Sequence, residues 1–129
     1  MKKMHRHWPV LLAALQLSMP AWALDVVPYQ AEQFTRARAA GKTTAIQFHS
    51  GWCPICVMQE RGVRSLGDDR DLSQVTVYQA DFGREEALRK QFNVTSFSTL
   101  VIFKGEAERA RTTGDFRPEQ LKALFAKAL

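Results

Sequence analysis

Apolar positions along this chain follow two periods, and the switches between them lay out its elements. Residues 43–49 (TTAIQFH) and 75–80 (VTVYQA) are short β-branched and aromatic runs, which read as strands. Residues 99–104 (TLVIFK) are almost continuously apolar, as in a strand buried on both faces. The other segments run at helical spacing. Residues 29–40 place Phe34, Ala37 and Ala40 on one side, with Gly41 at the stop. A second helix starts at Cys53 and reaches about Gly62 or somewhat beyond. A third, residues 84–92, has Leu88 and Phe92 at i, i+4. A last one, residues 118–128, has Leu121, Leu124, Phe125 and Ala128 at i, i+3, i+4, i+7. Residues 67–73 are a polar loop rich in Asp. The Lys104-Gly105-Glu106 turn folds residues 107–113 back as a hairpin, which Gly114 ends. A short strand around Val26-Val27 precedes the first helix. Alternating elements imply an α/β domain: a central mixed sheet of four to five strands flanked by helices, with a closing β-hairpin and a C-terminal helix.

The first 23 residues do not fit this pattern. Lys2, Lys3 and Arg6 precede an apolar run, and Ala21-Trp22-Ala23 closes it as a small-x-small site. A basic start, a short apolar stretch and such a site describe a secretory signal peptide. An uncleaved membrane anchor is the alternative, but Gln16, Ser18 and Pro20 interrupt a stretch that would need ~20 apolar residues to span. The expectation is a signal peptide at 1–23 and one domain at 24–129, periplasmic and not membrane-inserted after cleavage. This changes the meaning of the charge. The full chain has 129 residues and a formal charge of +5, which invites a nucleic-acid reading. Three of those charges lie in the first 23 residues. The remaining bases are interleaved with acids, as in Arg84-Glu85-Glu86, so no nucleic-acid partner is expected.

The only two cysteines, Cys53 and Cys56, sit two residues apart at a strand-to-helix junction. There the unpaired N–H groups and the helix dipole favour a thiolate at Cys53, and such settings lower a thiol pKa from ~8.5 to roughly 3.5–7.5. Cys53 is then the nucleophile that forms a mixed disulfide. Cys56, one turn on and deeper, resolves it to a Cys53–Cys56 disulfide. Pro54 suits the helix start. A purely structural disulfide is the first alternative, but so small a loop constrains the unfolded chain weakly. A copper or zinc module built from Cys53, Cys56 and possibly His49 is the second. His49 is also free to be an ordinary strand-end residue.

In residues 48–56 (FHSGWCPIC), 92–105 (FNVTSFSTLVIFKG) and Thr113-Gly114, the chain resembles the thioredoxin family over nearly all of 24–129. Within it, the chain looks like exported bacterial members and like the C-terminal domain of the membrane thiol:disulfide interchange reductase. The resemblance implies a thioredoxin fold, disulfide reductase activity and no dissociable cofactor. It also implies disulfide-containing exported proteins as substrates and a membrane thiol as electron donor. A monomer is expected. Trp52, Pro54, Ile55, Phe97, Ser98 and Thr99 are then the residues that bind substrate or tune the pair, with Gln47 and His49 behind them.

Three positions depart from the family pattern. Ser98 stands where the family usually has a cis-proline. Because a non-proline cis bond costs ~2.5–4 kcal/mol, the bond before Ser98 is expected to be trans, or cis under strain. Its hydroxyl is expected near the thiols, and a proline put there is expected to change turnover more than the fold. Gln47 replaces a commonly buried aspartate, so Cys56 needs another proton route, through water or a neighbour. Otherwise Gln47 is simply a satisfied polar core residue. Ile55 offers no donor between the cysteines, which favours a reductant and makes the rim apolar.

Overall fold

A computed structural model describes residues 24–129. The expected signal peptide lies outside the described residues. Five strands, β1 (Asp25–Pro28), β2 (Thr43–His49), β3 (Thr76–Asp81), β4 (Thr99–Lys104) and β5 (Ala107–Thr113), form one sheet in the order β1-β3-β2-β4-β5. β3 pairs in parallel with β1 and β2, while β4 and β5 run antiparallel. The mixed sheet and its closing hairpin are as the patterning implies.

Alternation along the strands sorts the core onto two faces. Ala45, Val77, Leu100 and Ile102 face one way, against α2 (Pro54–Arg64) and α4 (Pro118–Ala126), where Val63, Leu121 and Phe125 meet them. Ile46, Phe48, Tyr78, Val101 and Phe103 face the other way, against α1 (Ala31–Ala39) and α3 (Glu86–Gln91), through Phe34 and Leu88. Phe48 and Phe125 are fully buried, so truncating either to alanine would cost ~3–5 kcal/mol.

The boundaries differ from the expected ones for local reasons. Tyr29 donates its backbone N–H to Gln79 O at 2.9 Å, which keeps it extended beside β3 and delays α1 to Ala31. In α1 only Phe34 is buried, and Ala40 is exposed. Arg84 N–H donates to the Asp81 carboxylate in a turn, so α3 starts later than residue 84. Within the Asp-rich loop, Asp69 caps a single 3₁₀ turn, Arg70–Leu72, that buries Leu72. On α2, Gly62 lies so close to the following loop that a Cβ there would stand 2.1 Å from Phe116 O. That close approach presses the segment after β5 onto the helix that carries the cysteines.

Candidate active site

β2 ends at His49, a Ser50-Gly51-Trp52 turn follows, and α2 begins. Cys53 is the N-cap of α2, and its sulfur accepts from Cys56 N–H at 3.4 Å. Pro54 takes the first helical position, where no N–H is needed. Cys53 is 6% exposed and Cys56 fully buried, and both are free thiols. Burial opposes ionisation of Cys53. Hydrogen bonds from the Cys56 thiol and N–H, from Ser98 and from the Ile55 N–H outweigh it and hold this thiol below the ordinary value. For Cys56 burial dominates and its bond to Cys53 adds to it, so this thiol is pushed up. The Ser98 hydroxyl and the Ser50 backbone offset the rise only in part. One sulfur is thus prepared as a thiolate and its neighbour is kept protonated.

Ser98 is the residue from the distant loop that touches both sulfurs. Its hydroxyl donates to Cys56 Sγ at 3.0 Å and lies 3.8 Å from Cys53 Sγ. Among the described residues no peptide bond is cis, so the bond before Ser98 is trans. The backbone instead turns through φ 57° at Ser98, the left-handed region that side chains other than glycine avoid. Backbone bonds hold it there: Ser98 N–H donates to Phe48 O at 3.0 Å, and Ser98 O accepts from Gly114 N–H at 3.0 Å. This geometry corrects the expectation for a proline at 98. Proline fixes φ near −65° and has no N–H, so the substitution would disturb the fold as well as turnover.

Gln47 is fully buried on the α2 face of the sheet. Its amide nitrogen donates to Gln59 Oε1 at 3.2 Å, and its oxygen accepts from Gln79 Nε2 at 3.4 Å. Gln47 is therefore a satisfied polar core residue. The hydrogen-bond partners of Cys56 are Cys53, Ser98 and the Ser50 backbone, and none is a carboxylate. His49 Nε2 lies 3.1 Å from Glu60 Oε2 on α2 but without hydrogen-bond alignment. Burial works against the Glu60 charge. Arg64, His49 and Gln79 together outweigh it and hold the carboxyl below its usual range. Among the described residues no three His, Cys, Asp or Glu side chains converge as a metal set requires. The Cys53, Cys56 and His49 metal arrangement is thus not brought together.

The rim is apolar. Trp52 is 74% exposed and sets its ring edge-on to Phe97 at 4.9 Å, and Phe97 packs on Phe82 at 4.2 Å. Ile55 and Met58 are also exposed on α2. Thr99 turns inward, donating to Ser96 O at 2.8 Å and meeting Thr113 Oγ1 at 3.0 Å, so it braces the loop rather than facing a substrate. The sequence reading passes over Gln59, which lies against Ser98. The signal was present: Cys56, Gln59 and Val63 share the buried face of α2, where a glutamine is out of place unless it is bonded.

The family model described as thioredoxin matches residues 25–127. A thioredoxin of Chlamydia trachomatis is 29% identical over 96 residues, covering 74% of this chain and 91% of that protein. The protein disulfide-isomerase erp38 of Neurospora crassa is 31% identical over 90 residues, 67% of this chain and 23% of that protein. The crystal structure of Trxlp from Edwardsiella tarda superposes with a TM-score of 0.73 at 31% identity, covering 78% of this chain and 98% of that one.

Proposed function

The chain belongs to the thioredoxin family, and on that premise we propose that it is an exported thiol–disulfide oxidoreductase working mainly as a disulfide reductase. The observation that carries the chemistry is the unequal sulfur pair. Cys53, at the helix N-terminus, is held toward its thiolate, and Cys56 beside it is held protonated.

The reaction runs in two exchanges. The Cys53 thiolate attacks one sulfur of a substrate disulfide, forming a mixed disulfide and releasing one substrate thiolate. That thiolate, or water, takes the Cys56 proton. Cys56 then attacks Cys53 Sγ, closes the Cys53–Cys56 disulfide and releases the second substrate thiolate. Two electrons have passed to the substrate, and a dithiol donor must return them. The Ser98 hydroxyl points at Cys56 as its charge develops, where a charge-assisted bond is worth roughly 1.5–3 kcal/mol. It does in part what a buried carboxylate would do by taking the proton. The exposed Trp52, Ile55 and Met58 offer an apolar seat for the polypeptide around a substrate disulfide.

Support for export comes from residues 1–23, with their basic start, apolar run and small-x-small site. Exported proteins with accessible disulfides are then the substrates, and a membrane thiol carrier is the donor. Ile55 between the cysteines, whose side chain has no donor to stabilise the thiolate further, supports the reducing direction. The test is reduction of a protein disulfide followed by trapping. Cys53→Ser should abolish activity, and Cys56→Ser should accumulate a mixed disulfide through Cys53. Full activity of Cys53→Ser would overturn the assignment.

A further inference from the structure

We infer that Gln59 is a positioning residue for the redox pair, holding the peptide unit of Ser98 so that its hydroxyl stays on Cys56. The inference rests on the two-exchange reading above. Gln59 is fully buried on α2, one turn after Cys56. A buried amide is costly unless all its polar groups are bonded. Here each one is. One Nε2 hydrogen goes to Ser98 O at 2.8 Å and the other to Asp115 O at 2.9 Å, while Oε1 accepts from Gln47 Nε2 at 3.2 Å. The side chain has one orientation in which these bonds are made, and Gln47 fixes it.

That orientation joins the two halves of the site. The helix that presents both sulfurs is bonded, through one side chain, to the carbonyl of the residue whose hydroxyl touches Cys56. Ser98 needs such a hold because its left-handed backbone is unfavourable for a serine. The bond to Asp115 draws the segment after β5 onto the same helix, beside the close approach at Gly62. Behind Gln59 the chain of amides continues. Gln47 and Gln79 are paired in register across β2 and β3, and Gln79 donates to Gln47 Oε1 at 3.4 Å. Gln79 also bonds the Glu60 carboxylate. A directed run of donors therefore crosses the sheet and ends at the Ser98 carbonyl.

A merely structural staple would look similar, so the test separates position from stability. An aromatic disulfide with a chromogenic leaving thiol releases one thiol when Cys53 attacks and a second when Cys56 resolves. With Gln59→Met, a near-isostere without donors, the second release should slow roughly three- to tenfold, the worth of one buried hydrogen bond. The first release should change less than the second, because the Ser98 hydroxyl lies 3.8 Å from Cys53 Sγ and 3.0 Å from Cys56 Sγ. In a Ser98→Ala background, Gln59→Met should slow the second release no further. Equal slowing in both backgrounds, slowing of the first release as great as that of the second, or no slowing in either background would overturn the inference. Should Gln59→Met fail to fold, Gln47→Met carries the same comparison, because it frees the Gln59 orientation while leaving its donors. If it, too, slows resolution equally with and without the Ser98 hydroxyl, or in neither background, the inference falls. A wild-type protein that never gives the second release overturns the two-exchange reading, and this inference with it.

Discussion

Ser98 combines a catalytic hydroxyl with an unfavourable backbone, and two substitutions separate the two. Ser98→Ala removes the hydroxyl that lies 3.0 Å from Cys56 Sγ and leaves the φ of 57° in place. A hydrogen bond to a charged group is worth about 1.5–3 kcal/mol. At 1.36 kcal/mol per factor of ten, losing it as Cys56 ionises should slow resolution roughly 10- to 100-fold. Ser98→Gly removes the same hydroxyl and also relieves the left-handed strain, about 1–2 kcal/mol. Against that stands the extra freedom of glycine in the unfolded chain, about 0.4–1 kcal/mol. Ser98→Gly should therefore be somewhat under about 1 kcal/mol more stable than Ser98→Ala, with the same slow resolution. Stopped-flow release of the second chromogenic thiol reads the rate, and urea unfolding reads the stability. Resolution at the wild-type rate in Ser98→Ala refutes the role of the hydroxyl. Recovery of rate in Ser98→Gly refutes it as well, because strain would then be the controlling factor.

Two further predictions follow from the geometry of α2. Gly62→Ala would place a methyl 2.1 Å from Phe116 O and 3.0 Å from Leu121 Cδ1. Overpacking of about 1–3 kcal/mol outweighs the gain of about 1 kcal/mol in helix propensity, so the urea midpoint should fall. A midpoint at or above wild type would show that the loop yields. Because the Cys53 thiol is held below the ordinary thiol value, its alkylation should be half-maximal at a lower pH than that of a free cysteine and fade as pH drops through its own lowered value. Cys56 is raised, so mass spectrometry of the alkylated protein should find the label on Cys53 alone over that range. Comparable labelling of both thiols would contradict the unequal pair.

The fold was legible because its signals are local. The β-branched run at 43–49, the buried run at 99–104 and the Gly105 turn each declare themselves within a few residues. The cysteine pair was legible for the same reason, since its spacing and the helix start are adjacent in sequence. Ser98 was legible only as a departure from the family pattern. Its left-handed backbone depends on Phe48 and Gly114, far away in the chain. Gln59 was missed because its partners are equally remote: Gln47 on β2, Ser98 before β4 and Asp115 after β5. No periodicity says which distant carbonyl a buried amide will find. His49 shows the converse. Four residues before Cys53 in sequence, it is claimed by Glu60 from the next helix.

The reducing direction rests on a single quantity, the equilibrium potential of the Cys53–Cys56 pair. Trp52 adjoins Cys53 in sequence, and its fluorescence should change as the disulfide forms in glutathione buffers of graded ratio. The account predicts a potential on the thioredoxin side, toward about −270 mV. A value near −120 mV, that of the strong periplasmic oxidant, would reverse the direction of electron flow and contradict the account.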